Sequence, residues 1–167
     1  MLSNHRLAFH SHNQERCLDA AIISAKKLCA EKNTKLSSMR ESVLVLLWQG
    51  HKPMGAYDIL NGIAKTTGKS IAPPTIYRAL EFLLEMGLIH RIASLNAYIG
   101  CPFPNSVHSN LFMVCSQCGS AAEIADSGLN KILNSLCTNA DFSMETQYVE
   151  IKGRCPQCQT ISAKSEQ

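Results

Sequence analysis

Metal-binding chemistry concentrates in one stretch, His108–Glu123, which reads HSNLFMVCSQCGSAAE and holds His108, Cys115, Cys118 and Glu123. Cys115 and Cys118 form a Cys-x-x-Cys pincer, and the same spacing returns at Cys155 and Cys158. Two matching pincers supply four thiolates, the ligand set of a closed tetrahedral zinc site with no open position for a substrate. A thioredoxin-like redox role uses one such pair after a strand and leaves the second unexplained. A zinc deaminase needs His-x-Glu and Pro-Cys-x-x-Cys, whereas this chain offers HSN, VCSQC and RCPQC. The spacing therefore points to structural zinc rather than to catalysis.

Four further donors remain: His90, Cys101, His108 and Glu123. Each alone has a plain reading as a surface or core residue. Together they offer two nitrogens, one sulfur and one carboxylate, a mixed tetrahedral set that suits zinc, and the thiolate disfavours hard cations such as Mg²⁺ or Mn²⁺. Their places along the chain add weight. His90 falls in a hairpin, Cys101 at its exit, and His108 and Glu123 in the segment beyond, so a metal joining them would lock one domain against another.

The elements that must position these donors follow from periodicity. QERCLDAAIISAKKLCAEK, Gln14–Lys32, places its apolar residues at helical spacing with charges opposite. Ser37 or Ser38 can cap a second helix through Arg40–Trp48, stopped by Gly50 and Pro53, and a third runs from about Ala56 to Thr67. The fourth opens at Pro73-Pro74. At about 100° per residue, Ile76, Ala79, Leu80, Leu83 and Leu84 share its inner arc, leaving Tyr77, Arg78, Glu81 and Glu85 to solvent before Gly87 ends it. LIHRIASLNAYIG then reads as a hairpin around Ser94–Asn96. Helices followed by a hairpin, with Tyr and Arg in the first turn of the last helix, describe a winged helix-turn-helix that reads DNA through that helix. Beyond the 101–107 linker, LFMVC and AAEIA read as strands, SGLNKILNSLCTNA as an amphipathic helix, and FSMETQYVEIKG as a strand leading to RCPQC, with SAKSEQ as a frayed tail. This is an α/β piece of about 60 residues, small enough to need a staple.

Composition agrees. The 167 residues are 46% hydrophobic, enough for true cores. The longest aliphatic run, VLVLLW, falls far short of the roughly 20 residues that span a bilayer, and the start of the chain lacks the apolar region of a secretory signal. A cytoplasmic setting is expected, where eight cysteines mean thiolates and metal rather than disulfides. Residues 1–100 carry 12 Lys and Arg against 7 Asp and Glu, while residues 101–167 carry 4 against 6, so the basic excess lies with the winged-helix segment.

PPTIYRALEFLLEMGLIHRI, NAYIGC, HSNLFMVCSQCG and the terminal CPQC together resemble the ferric-uptake-regulator superfamily, and within it the zinc-responsive branch, over about residues 14–158. The resemblance implies an α+β protein: a winged-helix DNA-binding domain (14–100), a hinge (101–107) and a zinc-stapled α/β dimerisation domain (108–160). It implies a non-enzymatic, homodimeric repressor with two zinc ions per chain, binding double-stranded operator DNA, with neither a membrane nor a small-molecule substrate as partner. Structural zinc is implied at Cys115, Cys118, Cys155 and Cys158, and regulatory zinc at His90, Cys101, His108 and Glu123. Tyr77 and Arg78 match the family's operator-reading pair, Tyr57 another DNA-facing tyrosine, and Arg40 a phosphate-contacting arginine. Iron and peroxide sensors carry a His-rich run before the first Cys-x-x-Cys, and this chain has only VHSN; the usual Thr-Pro-x-Arg before the second helix reads SSMR. The alternatives are a sibling regulator sensing another metal or oxidant, and a zinc-ribbon interaction protein without DNA binding. His5, His10 and His12 precede the matched region and carry no assigned role.

Overall fold

The computed structural model describes residue 9 and residues 14–50, 52–104, 110–124 and 126–164. The chain forms two compact units, residues 11–105 and residues 106–167 together with 1–10.

In the first unit, α1 (Gln14–Glu31) buries Ala25, Leu28 and Cys29, and α2 (Ser38–Trp48) buries Val43, Leu44 and Leu47. Ser37 takes the N-cap position of α2 with extended backbone, but its side chain makes no capping hydrogen bond. The α3 helix (Ala56–Thr67) ends at Gly68, whose φ of 67° is a left-handed stop that glycine adopts without a Cβ penalty. Pro73 and Pro74 open α4 (Pro73–Glu85), where their missing N–H groups would have had no helical partner. Ile76, Ala79, Leu80 and Leu83 of α4 are buried as expected, but Leu84 is 36% exposed. Leu84 lies at the edge of the inner arc, and Phe82 from the other edge packs partly on the core instead.

The wing is an antiparallel pair, β1 (Ile89–Ile92) and β2 (Ala97–Gly100), in register from Ile89 opposite Gly100 to Ile92 opposite Ala97. A 3₁₀ turn over Ala93–Leu95 and Asn96 at φ 46° reverse the chain, and the Arg91 Nη2 donates to Asn96 Oδ1 at 2.7 Å. Asparagine tolerates this left-handed backbone better than a branched residue would. Met54 adds a rung that sequence periodicity does not reveal: Met54 and Tyr98 exchange backbone hydrogen bonds of 2.9 and 2.8 Å.

The second unit is a three-stranded sheet in the order β4-β3-β5. Central β3 (Leu111–Cys115) pairs antiparallel with β4 (Ala121–Ile124) and parallel with β5 (Val149–Gly153). The connection from β4 to β5 carries α5 (Ser127–Asn139), capped by Asp126, whose Oδ1 accepts from the Gly128 and Leu129 N–H at 2.7 and 2.9 Å. The final strand is shorter than the 142–153 run suggests. Asp141 at φ 51° ends the helical segment, and regular pairing begins only where Val149 N–H donates to Asn110 O at 2.9 Å. The chain past the second pincer is also not simply a tail, because α6 (Pro156–Lys164) takes in the first residues of SAKSEQ. No helix among the described residues is long and apolar enough to cross a membrane.

Candidate metal centre and DNA-facing residues

Cys115 closes β3, and a tight turn follows, with Gly119 at φ 73° donating to Cys115 O at 3.0 Å. The strand pairing brings the far pincer to it: Ser116 N–H and Oγ both reach Gly153 O, at 2.7 and 3.0 Å, and Cys155 follows two residues on, just before α6. The sulfurs of Cys115, Cys118, Cys155 and Cys158 lie within 4.8 Å of one another. The Cys118 and Cys155 sulfurs are 3.8 Å apart. A zinc ion with bonds of about 2.3 Å to four thiolates has tetrahedral edges of about 3.8 Å, so the donor set fits zinc.

The thiols are electrostatically uneven. Hydrogen bonds from the backbone N–H groups of Cys118 and then Cys155 lower Cys115 to about 6, and Cys155 N–H stands 3.3 Å from its sulfur. The Ser120 side chain, 3.3 Å from the Cys118 sulfur, lowers Cys118. Burial and then the neighbouring thiols push Cys158 up to about 12. Cys115 and Cys118 are thus eased toward the thiolate while Cys158 resists joining them. Four thiolates can share this space only around a cation, and a metal supplies the charge that deprotonates them. Phe9 packs against the cluster. Neither Phe9 nor Ser120 was legible as part of this site, since an apolar residue more than a hundred positions away and a lone serine carry no ligand signal.

Of the second predicted set, His90 on β1 and Cys101 just past β2 belong to the winged unit, and a ring nitrogen of His90 lies within 4.8 Å of the Cys101 sulfur. Cys101 is fixed at both ends: its N–H donates to Leu88 O at 2.9 Å, and its sulfur accepts from Phe103 N–H at 3.3 Å. Glu123 belongs to the other unit, on β4 opposite Phe112, and is only 9% exposed. His108, with His5, His10 and His12, lies outside the described residues.

The DNA-facing candidates divide in two. Tyr57 in the first turn of α3 and Tyr77 in that of α4 are 68% and 48% exposed, and Arg78 is exposed beside Tyr77. Both are large aromatics displayed at helix starts, and Tyr77 has an arginine next to it. Arg40, by contrast, is held by its own unit. Its guanidinium stacks 3.4 Å from the centre of the Phe82 ring, and Nη1 donates to Lys35 O at 2.8 Å. Neither contact was visible in the sequence.

The Ferric uptake regulator family model matches residues 31–152, most of both units. The chain belongs to this family. Within it, the zinc uptake regulation protein of Escherichia coli (strain K12) is 32% identical over 143 residues, covering 85% of this chain and 83% of that protein. The zinc uptake regulation protein of Mycobacterium tuberculosis (strain ATCC 25618 / H37Rv) is 29% identical over 96 residues, 56% of this chain and 71% of that protein. Among solved structures, a zinc uptake regulator complexed with zinc and DNA has a TM-score of 0.80 at 30% identity, covering 92% of this chain and 99% of that one. The holo form of XcZur has a TM-score of 0.77 at 32% identity, covering 85% and 99%. The α+β fold of this family member, with a DNA-binding domain followed by a dimerisation domain, is as the sequence led us to expect.

Proposed function

We propose that this chain is a zinc-responsive transcriptional repressor that binds operator DNA as a homodimer when zinc-loaded and controls zinc uptake genes in the cytoplasm, with no catalytic step of its own. The observation that carries the zinc reading is the donor chemistry at the wing exit. A histidine nitrogen and a cysteine sulfur within 4.8 Å of each other on the DNA-binding unit form a borderline-soft pair that zinc suits. The relatives reinforce it, since a zinc uptake regulator solved with zinc and DNA shares 30% of its sequence with this chain.

Two zinc ions per chain serve distinct roles in this reading. Cys115, Cys118, Cys155 and Cys158 hold a structural ion that closes the dimerisation domain, residues 108–160. His90, Cys101, His108 and Glu123 hold a regulatory ion, donors drawn from both sides of a hinge at 101–107. Arg78 and Tyr77 read the operator, Tyr57 is another DNA-facing tyrosine, and Arg40 contacts phosphate. Dimerisation has a surface to use: Met113, Ile132, Leu136, Phe142, Tyr148 and Ile151 of the second unit are exposed apolar side chains. To act as a switch, zinc must favour the DNA-competent state, and a hundredfold preference corresponds to about 2.7 kcal/mol.

The test is selection from a palindromic operator library with zinc, with manganese and with chelator. Zinc-dependent enrichment of one palindrome is expected. Manganese-dependent enrichment would instead identify a sibling sensor, and metal-indifferent binding would remove the sensor reading.

A further inference from the structure

Trp48, the chain's single tryptophan, stands in the last turn of α2 with the edge of its indole against the backbone of Gly100 on β2. A Cβ placed on Gly100 would lie 2.6 Å from Cε2 and 2.9 Å from Cδ1 of the indole, closer than real Cβ atoms come. Glycine is required here by that approach. The indole Nε1 is buried without a hydrogen-bond partner, so shape rather than hydrogen bonding seats the ring, and the cost of the unpaired N–H has to be offset by contact.

What the ring touches gives the contact its meaning. Gly100 pairs with Ile89, the residue before His90, and is itself followed by Cys101. The indole therefore rests on the rung that separates the two donors of the wing exit. The α2 helix that carries it packs in turn against α4, which displays Tyr77 and Arg78.

We infer that Trp48 is a positioning residue for the regulatory metal: seated on Gly100, it sets the spacing between α2 and the wing strand and so holds the Cys101 sulfur in its approach to His90. This inference rests on the regulatory ligand set proposed above. A methyl group at position 100 drives the strand away from α2 and carries Cys101 with it. Removing bulk from the indole leaves the strand unsupported. Making both changes restores the contact, because the space vacated by the ring receives the methyl.

The experiment is zinc titration of the full-length dimer against a competing chelator, with the tight zinc counted by atomic absorption and folding followed by circular dichroism. Wild type, Cys101→Ala, Gly100→Ala, Trp48→Leu and the double variant Gly100→Ala with Trp48→Leu are compared. Wild type should take up a second zinc with a change in Trp48 emission, and Cys101→Ala should lose both while keeping its tight zinc. Gly100→Ala should keep the tight zinc and bind the second at least tenfold more weakly, Trp48→Leu several-fold more weakly, and the double variant should recover most of the Gly100→Ala loss. Unchanged second-zinc affinity in folded Gly100→Ala, or a double variant no better than Gly100→Ala, overturns the inference. If Gly100→Ala does not fold, unchanged affinity in Trp48→Leu does so. A wild-type chain that takes up one zinc only overturns the regulatory site itself, and the positioning role with it.

Discussion

The two units bury their hydrophobic residues in opposite ways. The winged unit closes a continuous core from all four of its helices and the wing, running from Ala25 and Cys29 through Leu44, Leu47, Ile59, Leu80 and Leu83 to Ile89. In the second unit α5 buries no residue at all, although Ile132 and Leu136 lie on it at 59% exposure each, and β5 faces largely outward. Away from the sheet, its described residues pack in a knot of cysteines with Phe9 against it. One unit carries its own stability. In the proposed reading the other, small and open, borrows it from a metal and from a second copy.

The strongest way to break this contrast is Cys118→Ser. Removing one of four ligands should abolish tight zinc, unfold the second unit and dissociate the dimer, while the winged unit keeps its helical signal and a separate unfolding transition. Circular dichroism and sedimentation on one sample check all three, and a variant that stays dimeric with full zinc would refute the borrowed stability. Next in size, Ile132→Asp combined with Leu136→Asp should weaken dimerisation at least a hundredfold with tight zinc retained, as read by sedimentation equilibrium. Unaltered dimerisation would show that α5 faces solvent for another reason. The complementary change, Leu83→Ala in the fully buried core of the winged unit, should cost about 2–5 kcal/mol in that unit's unfolding alone. Zinc content should not move.

The smallest effects sharpen the picture of the DNA face. Arg78→Ala should cost about 1–3 kcal/mol of operator binding and relax preference at one base position per half-site, because arginine pairs bidentately with guanine. Arg40→Ala should weaken all sequences similarly and flatten the salt dependence. The stack on Phe82 adds a second consequence: thermal stability of the winged unit should fall as well, and Arg40→Lys should restore charge but not stacking. Equal loss of base discrimination in the two variants, read by competition against mutated operators, would contradict the separate roles.

What was legible in the sequence follows the same division. Helices α1 to α4 and the wing could be read because each has one inner face with a clear period, bounded by Pro73, Gly68 or Asn96, where the backbone leaves little choice. The four thiols could be read because a chelating spacing that occurs twice in one chain rarely arises by chance. The second unit was harder for a physical reason. The run from Phe142 to Gly153 is rich in strand-forming residues, yet only Val149–Gly153 pairs, since propensity is silent about where β3 ends and Asp141 turns the chain. Leu84 was misplaced by one step of 100°, which separates an arc's edge from its centre. Contacts made by long-range closeness, such as Trp48 on Gly100, Arg40 on Phe82, Met54 beside Tyr98 and Phe9 on the cysteines, leave no periodic trace.

In the proposed mechanism one zinc builds the protein and a second one switches it. Operator affinity of wild type and Cys101→Ala, measured across a buffered range of free zinc with retained tight zinc counted in every sample, tests it most directly. Two folded dimers with one tight zinc per chain are expected, of which only the wild type gains about a hundredfold in operator affinity as free zinc rises, equivalent to about 2.7 kcal/mol. A Cys101→Ala protein that follows the wild-type curve would contradict it.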